Sequence, residues 1–229
     1  MILIHDLHKH FAGKVVLRGV NLEIEDGERL VIVGRSGCGK SVLLKNIINL
    51  MQPDEGYILV DDIAIRKVDQ KDLFSLRKQF GFLFQGAALF DSMTVYENIS
   101  LPLREHTHLS ASEIEEKVHE KLELVGLPGI EDLKPAELSG GMKKRVGLAR
   151  ALILDPKYIL YDEPTTGLDP IMAANIDKLI VELSEKLKVT SVVVTHDLQS
   201  VEKIATRVVM LHTSKNHTRL RMRSQLHTS

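Results

Sequence analysis

Gly34-Arg35-Ser36-Gly37-Cys38-Gly39-Lys40-Ser41 follows the apolar run Leu30-Val31-Ile32-Val33 and precedes the helix-like run Val42-Leu43-Leu44-Lys45-Asn46-Ile47-Ile48. The order strand, glycine-rich loop, helix decides the fold, because G-x-x-x-x-G-K-[ST] has chemical meaning only between those two flanks. Glycines let successive backbone N–H groups turn inward onto phosphate oxygens, and the helix N-terminus adds the positive end of its dipole. Lys40 then reaches the β- and γ-phosphates, and Ser41 sets its hydroxyl on Mg²⁺. Residues 34–41, with Val42 at the start of the helix, are the expected nucleotide-binding stretch.

Outward from the loop, Val15, Leu17, Val20, Leu22 and Ile24 roughly alternate with polar residues as a strand does, and Asp26-Gly27-Glu28 turns the chain toward residues 29–33. Pro53-Asp54-Glu55-Gly56 is a turn before Tyr57-Ile58-Leu59-Val60, with Asp61-Asp62 closing a hairpin onto Ile63-Ala64-Ile65. Phe80 to Gln85 reads as a buried strand. Ser110-Ala111-Ser112-Glu113 is a capping box opening a helix that carries Ile114, Val118, Leu122 and Val125 on one face and stops at Gly126. A helix runs from Met142 to about Leu154, an apolar strand from Lys157 to Glu163 and a helix from about Pro170 to Lys188. The strand Ser191 to Thr195, a short helix and a last strand, Arg207 to Leu211, end the pattern. Such alternation implies an α/β fold with a mostly parallel sheet covered on both faces, and ligands there lie at the carboxyl ends of strands.

The 229 residues are long enough for one large domain or two unequal lobes. Lys and Arg number 30 against 31 Asp and Glu, so no whole-molecule field draws the chain to nucleic acid. The single cysteine, Cys38, excludes an intrachain disulfide and fits a reducing compartment. No apolar run approaches the ~18 residues of a membrane span. The expected location is therefore cytoplasmic, with any membrane role exerted through a partner.

Phosphoryl transfer to water needs a metal, charge neutralisation and a group that orients the water. Asp162 and Glu163, at one strand end, can divide the work: Asp162 on the Mg²⁺ shell, Glu163 accepting the proton. His196, at another strand end, can donate to the γ-phosphate or hold the water, and the Gln85 amide can ligate Mg²⁺ or water.

Taken in order, Phe11, residues 34–41, Gln85, Leu138-Ser139-Gly140-Gly141-Met142, Tyr158 to Glu163, Gly167-Leu168-Asp169 and His196 resemble the motif set of ABC-transporter nucleotide-binding subunits. The resemblance covers residues 1 to about 211. It implies a P-loop ATPase core with an N-terminal antiparallel β-subdomain and an α-helical subdomain inserted at about 86–150. It also implies ATP and Mg²⁺ as cofactors, and a head-to-tail dimer in which one copy's Ser139, Gly140 and Gly141 face the other's phosphate loop. Phe11 would stack on adenine, Asp169 would cross the interface, and an integral membrane permease would be the partner at the inner face of the cell membrane.

Residues 85–98, 102–106 and 138–145 are further similar to the ATPases of Mla-type, MCE-associated lipid transporters, which makes phospholipid the expected cargo. Import of a small solute such as an amino acid, or a non-transport ATP-switched scaffold, are the alternatives. Leu89, Phe90, Met93 and Val95 are expected to be exposed for a permease helix. Cys38, inside the loop, is a candidate for thiol-dependent inactivation, and 212–229 reads as a disordered or truncated tail.

Overall fold

The structure is a computed structural model that describes residues 1–214 and 217–223. Strands β1 (Ile2–Phe11), β2 (Lys14–Ile24) and β3 (Arg29–Val33) lead to helix α1 (Lys40–Ile47). Then come β4 (Glu55–Val60), β5 (Ile63–Ala64), α2 (Gln70–Arg77), β6 (Phe80–Leu83), α3 (Val95–His106), α4 (Ala111–Leu124) and α5 (Gly140–Leu152). The chain continues through β7 (Tyr158–Asp162), α6 (Pro170–Leu187), β8 (Thr190–Thr195), α7 (Leu198–Ile204), β9 (Arg207–Ser214) and β10 (His217–Arg223).

One sheet is antiparallel, in the order β2-β1-β4-β5, and the other runs β10-β9-β3-β8-β7-β6. Within the second, β9, β3, β8, β7 and β6 pair in parallel and β10 joins antiparallel. Strands β3, β7 and β8 are buried on both faces, and successive residues feed different cores. Val31, Val33, Ile159, Tyr161 and Val193 pack with α3 to α6, whereas Leu30, Ile32, Tyr158, Leu160, Val192 and Val194 pack with α1 and the antiparallel sheet. This is why those strands are continuously apolar rather than alternating. The arrangement brings the carboxyl ends of β3, β8, β7 and β6 to one edge.

Two strands add to those the sequence predicts. β1 escapes the period-2 rule because Asp6, at φ 45°, sits in an irregularity between Ile4 and Leu7 that resets the alternation. Residues 212–214 continue β9 past Leu211, and 217–223 pair with it from His217↔Ser214 to Arg223↔Val208. The alternation Thr218-Arg219-Leu220-Arg221-Met222-Arg223 is itself strand-like; residues 215–216 and 224–229 lie outside the description. α3 begins at a capping box, with Thr94 accepting from the Glu97 N–H and Glu97 from the Thr94 N–H.

Candidate functional site

β3 delivers the chain into the loop at Gly34, where a Cβ would lie 2.6 Å from both Cys38 Sγ and the Leu211 carbonyl, so only glycine fits. Gly39, at φ 101°, then reverses into α1. The helices α2 to α7 are capped by Asp69, Thr94, Ser110, Ser139, Asp169 and Asp197. α1 alone among the described α-helices has no side-chain cap, and no acid stands in its first turn. Its positive end is left open to an anion.

Around that end, charged groups from three strand termini meet. Lys40, 6% exposed, donates to the carbonyls of Gly34 at 2.8 Å and Arg35 at 3.3 Å, and its Nζ is 3.1 Å from Glu163 Oε1. Ser41 Oγ donates to Asp162 Oδ1 at 2.7 Å. His196 Nδ1 is 2.8 Å from Glu163 Oε2; facing a carboxylate, that nitrogen carries the hydrogen and donates. A contact of His196 with phosphate must then come through Nε2.

Phe11, Ser36, Gly37, Gly39, Lys40, Ser41, Val42, Gln85, Glu163 and His196 line one cleft of about 320 Å³. Phe11 is 41% exposed there, which argues against its being a core side chain, and Lys9 Nζ stands 5.4 Å from its ring centroid. Gly34, Arg35 and Cys38 line a separate cleft with His196 and Met210. Cys38 is buried, and burial pushes its thiol pKa up, which works against formation of the thiolate. Ser139, Gly140 and Gly141 do not line the Lys40 cleft. They start α5, where Ser139 Oγ accepts from the Met142 N–H at 3.3 Å, Gly140 packs toward Leu168 and Gly141 toward Met172. Ser139 and Gly140 are exposed.

Two residues near the site went unread in the sequence. Lys144 of α5 is 5% exposed and donates to the Gln85 carbonyl and, at 3.4 Å, to that of Glu163. Arg150 donates to the carbonyls of Ala87 and Ala88, both at 2.8 Å, and so clamps two residues with positive φ just after Gln85. In the sequence Lys144 belongs to the basic run Lys143-Lys144-Arg145, and Arg150 stands alone among apolar residues of the same helix.

For a divalent cation, the Ser41 hydroxyl, an Asp162 carboxylate oxygen and the Gln85 amide oxygen form an all-oxygen donor set with one carboxylate, which suits Mg²⁺ shared with phosphate and water. No group of three or more His, Cys, Asp or Glu among the described residues offers a competing metal cage. Nor is any helix among the described residues long and apolar enough to cross a membrane.

A model of the ABC transporter family matches residues 17–166. The probable ribonucleotide transport ATP-binding protein mkl of Mycobacterium leprae is 46% identical over 210 residues, 92% of this chain and 60% of the relative. The intermembrane phospholipid transport system ATP-binding protein MlaF of Haemophilus influenzae is 45% identical over 192 residues, 84% of this chain and 73% of the relative. A dimeric structure of the ATP-binding cassette MJ0796 in a post-hydrolysis state, bound to ADP and Pi, superposes with a TM-score of 0.83 at 34% identity, covering 92% of this chain and 94% of that one. The chain spans about 60% of the length of the mkl proteins it matches. On the family match, the loop at the open helix end and the carboxylates gathered beside it, the chain belongs to the ABC transporter family, as its ATP-binding domain.

Proposed function

We propose that this chain binds ATP with Mg²⁺ and hydrolyses it as one half of a head-to-tail dimer beneath a membrane permease that moves phospholipid. The observation that carries the reading is the meeting of Lys40, Glu163 and His196 at the uncapped start of α1. Loop N–H groups and Lys40 hold the phosphates, and Phe11 stacks on the adenine. Ser41, Asp162 and Gln85 hold Mg²⁺, which supplies charge neutralisation on the phosphates. A triphosphate on the loop offers Lys40 a more highly charged partner than Glu163, and the move frees Oε1 to accept a proton from water. His196, bonded to Oε2, keeps the carboxylate aimed.

The dimer is supported by the exposed start of α5 at Ser139 and Gly140, a helix N-terminus that the chain's own cleft does not use. The permease is supported by a groove of about 530 Å³ lined by Phe74, Phe82, Phe84, Phe90, Pro102 and His106 among others. Phe84 adjoins Gln85, so an occupant of the groove and a nucleotide in the cleft press on the same loop. Phospholipid is favoured by the likeness to MlaF; the likeness to mkl supports a small solute instead.

Glu163→Gln tests the chemistry: ATP binding persists while turnover falls by ~10²–10⁴. A variant with near wild-type hydrolysis removes Glu163 from the role of base. For the cargo, the complex purified with its permease should carry phospholipid above detergent background; a bound nucleotide or amino acid without lipid favours the solute reading.

A further inference from the structure

Behind His196 lies a buried polar group that the proposed chemistry does not use. Asp177, in the middle of α6, is 1% exposed, and Ser200, in α7, is fully buried. Ser200 Oγ is 3.1 Å from Asp177 Oδ2, 3.1 Å from Asp197 Oδ2 and 3.4 Å from Thr165 Oγ1. Asp177 Oδ1 has no hydrogen-bond partner. Asp197 follows His196 directly and caps α7 by accepting from the Gln199 N–H at 2.9 Å, and Thr165 follows Glu163 by two positions. The group therefore touches both segments that present the Glu163 and His196 pair.

A serine hydroxyl carries one hydrogen. With both carboxyls ionised it can serve only one of them, and the other 3.1 Å contact would press two acceptors together away from water. One additional proton resolves the conflict: Asp177 Oδ2–H donates to Ser200 Oγ, whose own hydrogen goes to Asp197. Burial decides which carboxyl holds that proton, because Asp177 is enclosed and Asp197 is partly exposed with a backbone N–H to bind. Burial accordingly raises the Asp177 pKa. The charged groups acting on it are both in or next to α7: Lys203, 3.7 Å from Oδ2 with its side chain 46% exposed, opposes the rise, and Asp197 adds to it.

We infer that Asp177 is a positioning residue for His196: as a neutral carboxyl it donates through Ser200 to Asp197 and so holds the start of α7 at one spacing from α6 and from Glu163. The inference rests on the reading of Glu163 and His196 as the hydrolytic pair. Because α6 begins at Asp169, the same link would carry a displacement at that loop to His196.

The full chain is tested as Asp177→Ala, Asp177→Asn and Ser200→Ala, by steady-state ATPase, thermal melting and the ring NMR signals of His196. Asn keeps an N–H donor toward Ser200 and no charge. Asp177→Ala and Ser200→Ala are expected to lower kcat about tenfold with KM for ATP within about twofold, because positioning rather than binding is lost. Both should shift the His196 ring signals. Asp177→Asn should restore kcat to within about twofold of wild type and return the ring signals to their wild-type positions. An Asn variant as slow as the Ala variant, or Ala variants with wild-type kcat and signals, overturns the inference. The ring signals need no turnover, so an inactive wild type would count against the hydrolytic reading while the NMR comparison still decided this one.

Discussion

Lys144 shows how far a single side chain can organise the cleft. Its ammonium lies beside Asp162 and Glu163, whose charges favour it, while burial lowers its pKa. It bridges the carbonyls of Gln85 and Glu163, and Glu163 stands at φ 49°, a left-handed conformation that a residue other than glycine keeps only when its surroundings hold it. The Glu163 N–H is tied to the Val194 carbonyl at 2.9 Å and Lys144 holds the other side of the residue. Lys144→Met keeps the stem but strands both carbonyls; the expected outcome is a stability loss of about 2 kcal/mol in denaturant unfolding, within the range for unpaired buried acceptors. Turnover should fall further than ATP affinity. A variant with wild-type kcat would show that Glu163 needs no help from α5.

At the scale of elements, the segment from Gln85 into α3 is exposed in fewer places than its apolar sequence suggests. Val95 is fully buried, and Leu89 packs against the helical core, which corrects the expectation that they face a permease. Met93 is partly buried, and Phe90 is 50% exposed. The backbone of Phe90 is held from both sides by Asn98, whose Oδ1 accepts from its N–H at 2.8 Å and whose Nδ2 donates to its carbonyl at 3.1 Å. Its ring can thus be replaced without moving the loop. Phe90→Asp is expected to leave unfolding within ~0.5 kcal/mol of wild type, as for a surface change, and to abolish co-purification with the permease. Val95→Asp should instead unfold the helical region by burying an unpaired charge, so equal melting losses in the two variants would place Phe90 in the core as well.

For the whole molecule, the decisive feature is that the chain's own cleft leaves residues 139–141 aside. Ser139→Arg puts a long cation on that exposed turn and removes a cap worth ~1 kcal/mol to α5. In a Glu163→Gln background, light scattering should show ATP-dependent dimers that vanish with Ser139→Arg, while nucleotide binding to the single chain persists. Dimers that survive the substitution would sink the head-to-tail arrangement.

The phosphate loop, the apolar strands with Asp162, Glu163 and His196 at their ends, and the capping box at Ser110 were legible because each depends on neighbours in sequence. Gly39 is demanded by the loop's own backbone at φ 101°, and strands buried on both faces announce themselves by unbroken apolar runs. The parallel order of those strands then carries their carboxyl ends to one edge. What only the tertiary structure decided is contact between segments remote in sequence. Asp6 resets β1 against β2 and β4, and β10 exists by pairing with β9. Lys144 and Asp177 look like any polar residue of a helix until packing removes their water. A buried polar group's partners are then set by what the fold places opposite it, here the Gln85 and Glu163 carbonyls for one and Ser200 for the other.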